Sequence, residues 1–412
     1  EISEFEACSR LSSLGIDVFV GKGVFDSPSS IVVNNQRLIF RKCIICTGGK
    51  AFIPNIPGLL KPAVPIDPTP VGDQQETAAE GVPYLTNESI FNLTELPRRL
   101  VVVGGGPIGV ELAQAFQRFG SQVTVLARGA KILDKEDEDA AMIVQRSLEK
   151  DGVQFLNNVT IDKVVKNGES GIIVSLHAGA GSDPIEISAD QILIAAGRRP
   201  TVRGYGLEAA NVAFSDAHGI EVNDLMRSVS NPLVYAAGDC CSHFQFTHAA
   251  DWMARICIRN ALFFGNSKFS DLIIPWCTFT APEVAHVGLY PRDLDGRGIK
   301  YVTFRKDFSD NDRSRCDGTT EGFVKVHVKE GSDTILGCTI VGEGAGDMIN
   351  EVTALMQSNQ GMDRLYAVIH PYPTRADAIR QTGDAYFEHS ISSFTRGIMR
   401  GILSWSLGSN HR

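Results

Sequence analysis

The sequence predicts an α/β protein with doubly wound parallel sheets, followed by a C-terminal α+β unit. Three observations predict this class: strand and helix patterns alternate from Arg98 onward, several hydrophobic runs stop at glycine, and a strand-rich segment turns helical after Ile274. The 412 residues are 43% hydrophobic and 21% charged, so the chain can form about two to three domains with their own cores.

Composition excludes several functional classes. The formal net charge of −9 leaves no basic surface of the kind that a nucleic-acid backbone requires. Nine cysteines are too few for a disulfide framework, which favours a reducing compartment, cytoplasmic or organellar. No run of eighteen apolar residues occurs, and the first residues show neither a start methionine nor a signal-peptide pattern.

The N-terminal part predicts strands and a loop. Residues 16–25 and 30–40 alternate apolar with polar side chains, as half-buried antiparallel strands do. The run from Lys42 to Cys46 is apolar and ends in Thr47-Gly48-Gly49, which predicts a buried parallel strand that meets a tight turn. The stretch from Pro54 to Pro83 predicts a loop with an insertion around residues 68–81.

A glycine motif follows the next predicted strand. Gly104, Gly106 and Gly109 fit the pattern G-x-G-x-x-G between the strand at 100–103 and a helix that runs to Gly120. In this context the glycines permit a tight turn and bring a pyrophosphate close to the helix N-terminus. The pattern therefore predicts dinucleotide binding, against the alternative of a purely structural turn.

The end of the second strand predicts which nucleotide is preferred. A carboxylate there binds the ribose 2′-hydroxyl of NAD, whereas an arginine suits the 2′-phosphate of NADP. The residues at this position are Ala127 and Arg128. The sequence therefore favours NADPH, and the alternative is that Arg128 is a solvated surface charge.

Three strands share an ending in glycine, at Thr47-Gly48, Ala196-Gly197 and Ala237-Gly238. The carboxyl ends of parallel strands are where ligands bind in open α/β sheets. Asp239 follows the third of these strands. Taken alone, a carboxylate at this point is equally a helix N-cap.

The order of these motifs carries a family resemblance. TGG, GGGPIGVE, AAGRRP, VYAAGD, FT-x-PE-x-x-x-VG and HPYPT follow one another over nearly the whole chain. In this order they resemble the class I pyridine nucleotide-disulfide oxidoreductases, and the mercuric-reductase-like branch in particular. The resemblance implies two Rossmann-like domains, the three-layer FAD domain being split, and a C-terminal α+β dimerisation domain. The implied boundaries are 1–95 and 198–272 for the FAD domain, 96–197 for the NAD(P) domain, 273–385 for the dimerisation domain and 386–412 for an amphipathic tail.

The resemblance also implies roles for single residues. Asp239 matches the aspartate that holds the ribityl chain of FAD, with Gly238 before it, and Thr47-Gly48 matches the turn beside the flavin nucleotide. Gly197 belongs to the turn that closes the NAD(P) domain.

Two further matches concern the redox chemistry. Glu111 matches a glutamate near the nicotinamide and the isoalloxazine, although a carboxylate near a helix N-terminus is also favoured by the dipole alone. His370 matches a histidine that crosses the dimer interface as acid and base, and Asp377 takes the position of its orienting glutamate. The implied function is electron transfer from NADPH through FAD to a disulfide or thiol-bound substrate, in a homodimer.

The sequence also departs from the family pattern. The first GxGxxG and the helix with C-x-x-x-x-C are not found, so we expect that a segment with the FAD pyrophosphate loop and the redox cysteines is missing. Cys43 and Cys46 lie in an apolar stretch where residues three apart point to opposite faces of a strand. The vicinal Cys240-Cys241 suits small hydrophobic packing better than a redox pair. No ligand spacing for a metal is present.

Two rival functions and one ambiguous segment remain open at this stage. A dihydrolipoamide dehydrogenase-like enzyme should prefer NADH, and a non-catalytic remnant would bind nucleotides and dimerise without turnover. Residues 385–406 predict a basic amphipathic helix with Arg396 and Arg400. Packing on the dimerisation domain is favoured for this helix over contact with a membrane surface.

Overall fold

The computed structural model describes residues 8–60, 81–168, 171–179, 182–391 and 393–408. They fall into two compact units, described here one at a time. Residues 8–53 and 197–272 belong to the first unit, and residues 54–60, 81–196 and 273–408 to the second. The insertion expected around residues 68–81 lies almost wholly outside the described residues.

The first unit is built from short strands and one long helix. Its regular elements are the helices Cys8–Ser13 and Thr247–Leu262, the 3-10 turns Gly238–Cys240 and Phe269–Asp271, and the strands Val24–Ser27, Ser30–Val33, Gln36–Ile39, Cys43–Ile45, Gly49–Ala51, Arg198–Pro200, Phe214–Ser215, Gly219–Ile220 and Val234–Ala236. Cys43–Ile45 pairs in parallel with Val234–Ala236, so the two predicted strands that stop at glycine are neighbours. Their buried side chains form one core with Phe25, Val202 and Leu207.

The strand predicted over residues 16–25 is wrong. Strand structure begins only at Val24, and Ile16 to Val20 lie exposed outside any strand. Residues 30–40 form antiparallel strand structure as predicted, but as a hairpin of two strands, in which Asn34 and Asn35 both have positive φ. A tight hairpin turn needs this backbone conformation, and asparagine adopts it more readily than most residues.

The second unit begins with the predicted parallel sheet. Its strand order is Gln191–Ile194, Arg99–Val103, Gln122–Leu126 and Gln154–Leu156, with the helices Pro107–Phe119 and Glu138–Asp151 between strands and the 3-10 turn Ile90–Asn92 before them. The helix after the glycine motif ends at a left-handed Gly120, as the sequence predicts. A three-stranded antiparallel sheet that was not predicted follows, made of Val159–Asn167, Gly171–Ala178 and Ile185–Ala189.

Residues 81–95 were assigned to the first FAD segment, but they lie in the second unit. The reason is main-chain pairing beside the parallel sheet. Leu85 forms a parallel bridge with Leu193, and its carbonyl accepts a hydrogen bond of 2.8 Å from the Ile194 N–H. The same unit also contains the dimerisation segment, so the two domains predicted at 96–197 and 273–385 pack as one body.

The C-terminal α+β prediction is confirmed. A five-stranded antiparallel sheet has the order Trp276–Thr278, Glu283–Gly288, Ile335–Gly342, Phe323–Lys329 and Tyr301–Asp307. The remaining elements are the helices Pro291–Gly296, Asp312–Asp317, Ala345–Gln357, Met362–Ala367, Asp377–Ser390 and Ser393–Gly408, and the 3-10 turn Phe308–Asp310. Val284, Phe323 and Val341 of this sheet share a core with Val144 of the helix Glu138–Asp151.

The single amphipathic helix predicted over 385–406 is also wrong. The helix Asp377–Ser390 ends there, and a second helix runs from Ser393 to Gly408. Residues 396–404 are exposed along this second helix, so within the described chain they do not pack on the dimerisation domain. Among the described residues, no helix is long and apolar enough to cross a membrane.

Candidate functional site

The glycine motif has the geometry of a nucleotide cradle. Gly104 has φ +120°, and a Cβ there would lie 2.3 Å from the Ala195 carbonyl oxygen. A Cβ on Gly109 would lie 2.0 Å from the Gly104 oxygen, so this glycine lets the helix approach the strand. Gly106 faces open space, and no side chain caps the helix that follows it. The first N–H groups of this helix are therefore available to a pyrophosphate.

Arg128 lies at the position that is predicted to contact the 2′-substituent of the ribose of a bound nucleotide. The strand Gln122–Leu126 ends at the buried Ala127, and Arg128 next to it is exposed. In the described part of the chain no hydrogen bond or ion pair engages its guanidinium, whereas Lys131 contacts Glu138 at 3.1 Å. The position offers a free cation and no carboxylate.

The first unit brings the predicted flavin residues together. The Thr47 hydroxyl donates to the Thr201 carbonyl at 2.6 Å, and the Thr201 N–H donates back to the Gly48 carbonyl at 2.9 Å. Gly48 has φ +68° and open space where a Cβ would point. Asp239 lies beside this turn, as shown by the distance of only 3.0 Å between a Cβ built on Gly49 and the Asp239 Cβ.

Asp239 has a partner that the sequence did not indicate. The Arg198 guanidinium donates to Asp239 Oδ2 at 2.9 Å and to the Gly49 carbonyl at 3.0 Å, with both side chains largely buried. The positive φ of Gly197 and Gly238 allows the sharp turns on either side of this ion pair. The open turn at Gly48 and the carboxylate beside it fit a flavin nucleotide.

The cysteines form no disulfide, and all nine are free thiols. Burial raises the pKa of Cys43 to about 11 and also raises that of Cys46. The vicinal pair differs, because a hydrogen bond from the Cys241 thiol lowers the pKa of Cys240 to about 7. Cys240 is nevertheless fully buried, and its thiol donates to the Ile45 and Ala237 carbonyls. No group of three or more metal-ligating side chains is found in the described chain.

His370 lines a cavity of about 660 Å³ but is itself enclosed. The wall of this cavity consists of Tyr366, Ala367, Val368, Ile369, His370, Tyr372, Asp377, Arg380 and Asp384. The side chain of His370 is only 5% exposed. Its Nε2 lies 3.0 Å from a Glu351 carboxylate oxygen, and its Nδ1 lies 3.3 Å from the Val368 carbonyl.

His370 and Asp377, which the resemblance pairs, form no direct hydrogen bond in the described chain. Asp377 instead accepts hydrogen bonds from Arg380 at 2.7 Å and from Gln381 at 2.8 Å. Burial acts to raise the pKa of Asp377, but these hydrogen bonds and the charges of Arg380 and of the nearby His370 outweigh it and lower that pKa. The carboxylate that contacts His370 is Glu351, nineteen residues earlier on the helix Ala345–Gln357.

Tyr372 is the polar side chain of this cavity that sequence reasoning missed. It is 75% exposed, and its hydroxyl donates to Asp312 Oδ2 at 2.9 Å. Ile369, which is 93% exposed, lies three residues before it. Pro371, Tyr372 and Pro373 are all exposed between the half-buried His370 and Thr374, and nothing in the sequence HPYPT indicated this.

Glu111 has a structural contact. Its Oε1 accepts a hydrogen bond of 2.8 Å from the Phe279 N–H, which ties the glycine-motif helix to the FT-x-PE segment. Burial raises the pKa of Glu111, and this hydrogen bond offsets part of the rise. Glu111 therefore lies in the second turn of its helix, and the hydrogen bond from Phe279 fixes its carboxylate in addition to any effect of the helix dipole.

These features define a class: a protein with an open glycine cradle suited to a pyridine nucleotide, a second turn suited to a flavin nucleotide, and a C-terminal α+β domain. The family model of the pyridine nucleotide-disulphide oxidoreductases matches residues 6–254, and that of their dimerisation domain matches residues 274–382. The chain belongs to this family. Its members bind FAD and NAD(P)H, and the predicted fold class is confirmed.

Named relatives point the same way. Dihydrolipoyl dehydrogenase 3 of Pseudomonas aeruginosa is 34% identical over 318 residues, which is 77% of this chain and 65% of the relative. Mercuric reductase of Staphylococcus aureus is 30% identical over 370 residues, 90% of this chain and 63% of the relative. The chain thus spans slightly less than two thirds of these relatives. The HOCl-induced flavoprotein disulfide reductase RclA from Escherichia coli superimposes with a TM-score of 0.78 at 25% identity, covering 92% of this chain and 83% of that one.

Proposed function

We propose that this protein is an FAD-dependent NADPH oxidoreductase that reduces a disulfide or a thiol-bound substrate and works as a homodimer. The observation that carries the proposal is the pair of nucleotide sites in one chain. One is the uncapped helix at Gly106 with the free Arg128, and the other is the Thr47-Gly48 turn beside Asp239. The relatives named mercuric reductase, dihydrolipoyl dehydrogenase and disulfide reductase support the reaction class.

Each site has a defined task in this proposal. The helix N-terminus at Gly106 holds the NADPH pyrophosphate, and Arg128 holds the 2′-phosphate. The Thr47-Gly48 turn and Asp239 hold FAD, which supplies the two-electron relay between the nicotinamide and a disulfide. In the balanced reaction NADPH gives two electrons, and one solvent proton completes the two thiols that replace the disulfide.

The proton at the substrate thiol needs a donor. His370 lines the cavity, but its side chain is only 5% exposed. Tyr372 also lines this cavity and is 75% exposed. Its hydroxyl donates to Asp312, and this hydrogen bond raises the pKa of Tyr372. We therefore propose Tyr372 as the group that exchanges a proton with the thiol, and the His370–Glu351 pair as the support of this loop.

Cofactor preference tests the proposal directly. An ionic hydrogen bond to the 2′-phosphate contributes about 1.5–3 kcal/mol, or one to two decades of affinity. We expect NADP⁺ to bind more tightly than NAD⁺ by this factor in calorimetric titrations of the full chain. Arg128→Ala should close the gap, while Arg297→Ala, which removes an exposed arginine elsewhere in the second unit, should leave it intact. Equal affinities in the unmodified protein contradict the proposal.

The same titration separates the rivals. A dihydrolipoamide dehydrogenase-like enzyme prefers NAD⁺, which the absence of a carboxylate at Ala127 disfavours. A non-catalytic nucleotide-binding dimer would keep the NADP⁺ preference but would not reduce added FAD at the expense of NADPH. Stopped-flow bleaching of the flavin absorbance under anaerobic conditions distinguishes this case from the proposed oxidoreductase.

A further inference from the structure

A buried carboxylate joins the nucleotide loop to the dimerisation domain. Glu136, which follows the Arg128–Lys135 segment, is 8% exposed. Its oxygens accept a hydrogen bond of 3.0 Å from the Trp276 indole N–H and another from the Tyr290 hydroxyl. Both donors belong to the dimerisation domain, although Glu136 itself lies in the NAD(P) segment.

The two donors are fixed in their roles. An indole N–H can only donate. Burial, together with the neighbouring Glu136 charge, raises the pKa of Tyr290 far above its usual value, so its hydroxyl keeps its proton at every physiological pH. Tyr290 also stacks on the buried His286 ring with centroids 3.6 Å apart. Glu136 therefore meets a preorganised pair of donors in a packed aromatic cluster.

Glu136 is connected to the glycine cradle through main-chain bonds. The Glu136 N–H donates to the Leu133 carbonyl at 2.9 Å, and the Leu133 N–H donates to the Gly105 carbonyl at 2.8 Å. Leu133 holds φ +47°, a costly backbone conformation for a leucine that persists only where its surroundings enforce it. A Cβ on Gly105 would come within 3.0 Å of Ile132 Cγ2, which shows how closely this segment packs on the cradle.

Further side chains of the dimerisation domain hold the same segment. The Arg292 guanidinium donates to the Asp134 and Lys135 carbonyls. The Lys325 ammonium contacts Asp137 at 3.0 Å and Asp139 at 2.7 Å, with its own side chain largely buried. These contacts therefore fix the C-terminal end of the loop that begins at Arg128. In the described chain no such contact holds the Arg128 guanidinium itself.

We infer that Glu136 is a positioning residue for nucleotide recognition: held by Trp276 and Tyr290, it fixes the Arg128–Lys135 loop against the glycine cradle. The dimerisation domain thereby contributes to the preference for NADP⁺ over NAD⁺ through this carboxylate. The inference rests on the proposed role of Arg128. It gives Trp276 and Tyr290, which lie in the dimerisation domain, a role in the choice between NADP⁺ and NAD⁺.

The test removes one hydrogen-bond donor at a time: Tyr290→Phe removes only the hydroxyl, and Trp276→Phe exchanges the indole for a smaller aromatic ring without an N–H. Tyr290→Phe and Trp276→Phe should each lower the NADP⁺ to NAD⁺ affinity ratio by about three- to tenfold, the loss that follows when a charged hydrogen bond is removed. Affinity for 5′-AMP, which lacks the 2′-phosphate, should change less than twofold. Tyr301→Phe on the same sheet and Trp252→Phe in the first unit are matched controls that should keep the ratio.

A double-mutant cycle separates positioning from general destabilisation. In an Arg128→Ala background, Tyr290→Phe should no longer change the ratio, because the group that it positions is gone. An unchanged ratio in both Tyr290→Phe and Trp276→Phe, with the unmodified protein still preferring NADP⁺ and Arg128→Ala losing that preference, overturns this inference alone. If the unmodified protein shows no preference, the role proposed for Arg128 fails, and this inference fails with it. If Tyr290→Phe lowers the ratio equally with and without Arg128, the positioning role is wrong.

Discussion

An added methyl group should have different effects at two glycines of one motif, lowering nucleotide affinity at the first and stability at the second. Gly106 and Gly109 are three residues apart, and both fit the pattern that predicts dinucleotide binding. Gly106 has φ −79° and no neighbour within 4 Å of a built Cβ, whereas a Cβ on Gly109 would lie 2.0 Å from the Gly104 oxygen. Alanine at the first position therefore fits the folded chain, and alanine at the second does not.

The expected magnitudes follow from these distances. For Gly106→Ala we expect the free energy of unfolding to change by less than about 1 kcal/mol, the difference between glycine and alanine at a helix N-cap. The methyl group would fill the space through which a pyrophosphate reaches the helix N–H groups, so NADP⁺ affinity should fall at least about tenfold. For Gly109→Ala the backbone has to move by more than an ångström, and we expect a loss of about 1–3 kcal/mol or more.

Urea unfolding and calorimetric NADP⁺ titration measure the two effects separately. A matched control is Gly397→Ala, at a glycine of the helix Ser393–Gly408 that also faces open space and has no positive φ, and it should leave NADP⁺ affinity unchanged. Undiminished NADP⁺ affinity in Gly106→Ala would show that the pyrophosphate does not bind at this helix N-terminus. Full stability of Gly109→Ala would refute the packing role of the third glycine.

Two further outcomes concern ionisable side chains. Tyr372→Phe should reduce disulfide-reductase turnover by about 10²- to 10⁴-fold at nearly unchanged stability. His370→Ala should cost about 1–3 kcal/mol of stability because it leaves the Glu351 carboxylate unpaired. The reverse pattern in steady-state kinetics and urea unfolding would return the acid–base role to His370. Burial lowers the pKa of His286 to about 3, so the unfolded chain binds this proton first and stability should fall as the pH drops below about 6.5. The loss attributable to His286 should reach about 2–3 kcal/mol at pH 4.5, and His286→Gln, but not the exposed His218→Gln, should flatten this part of the pH profile.

The sequence was sufficient for the parts of the fold in which local pattern and glycine chemistry agree. The strand Arg99–Val103, the glycine turn and the helix to Phe119 were predicted because an apolar run, three glycines and a left-handed Gly120 all require the same geometry. The parallel neighbours Cys43–Ile45 and Val234–Ala236 were indicated by a shared ending. In both cases a short stretch of sequence is enough to indicate the local backbone conformation.

Sequence patterns failed to predict the structure where tertiary contacts determine it. Residues 16–20 alternate like a strand but have no neighbouring strand to pair with among the described residues, so they remain exposed. Residues 81–95 carry no strong pattern, and their place in the second unit depends on the pairing of Leu85 with Leu193, more than a hundred residues later. The partners Arg198 for Asp239 and Trp276 for Glu136 are separated by 41 and 140 residues and leave no local signal.

The cavity at His370 shows why a motif alone is a weak guide to chemistry. The sequence singled out a histidine with a carboxylate seven residues later, but in the described chain Asp377 accepts hydrogen bonds from Arg380 and Gln381, and the carboxylate within hydrogen-bond distance of His370 is Glu351. A group that exchanges a proton with a substrate has to be accessible, and the His370 side chain is 5% exposed whereas Tyr372 is 75% exposed. Exposure is a property of the folded loop that the motif HPYPT does not contain, and for this reason we propose Tyr372 rather than His370 for the proton transfer.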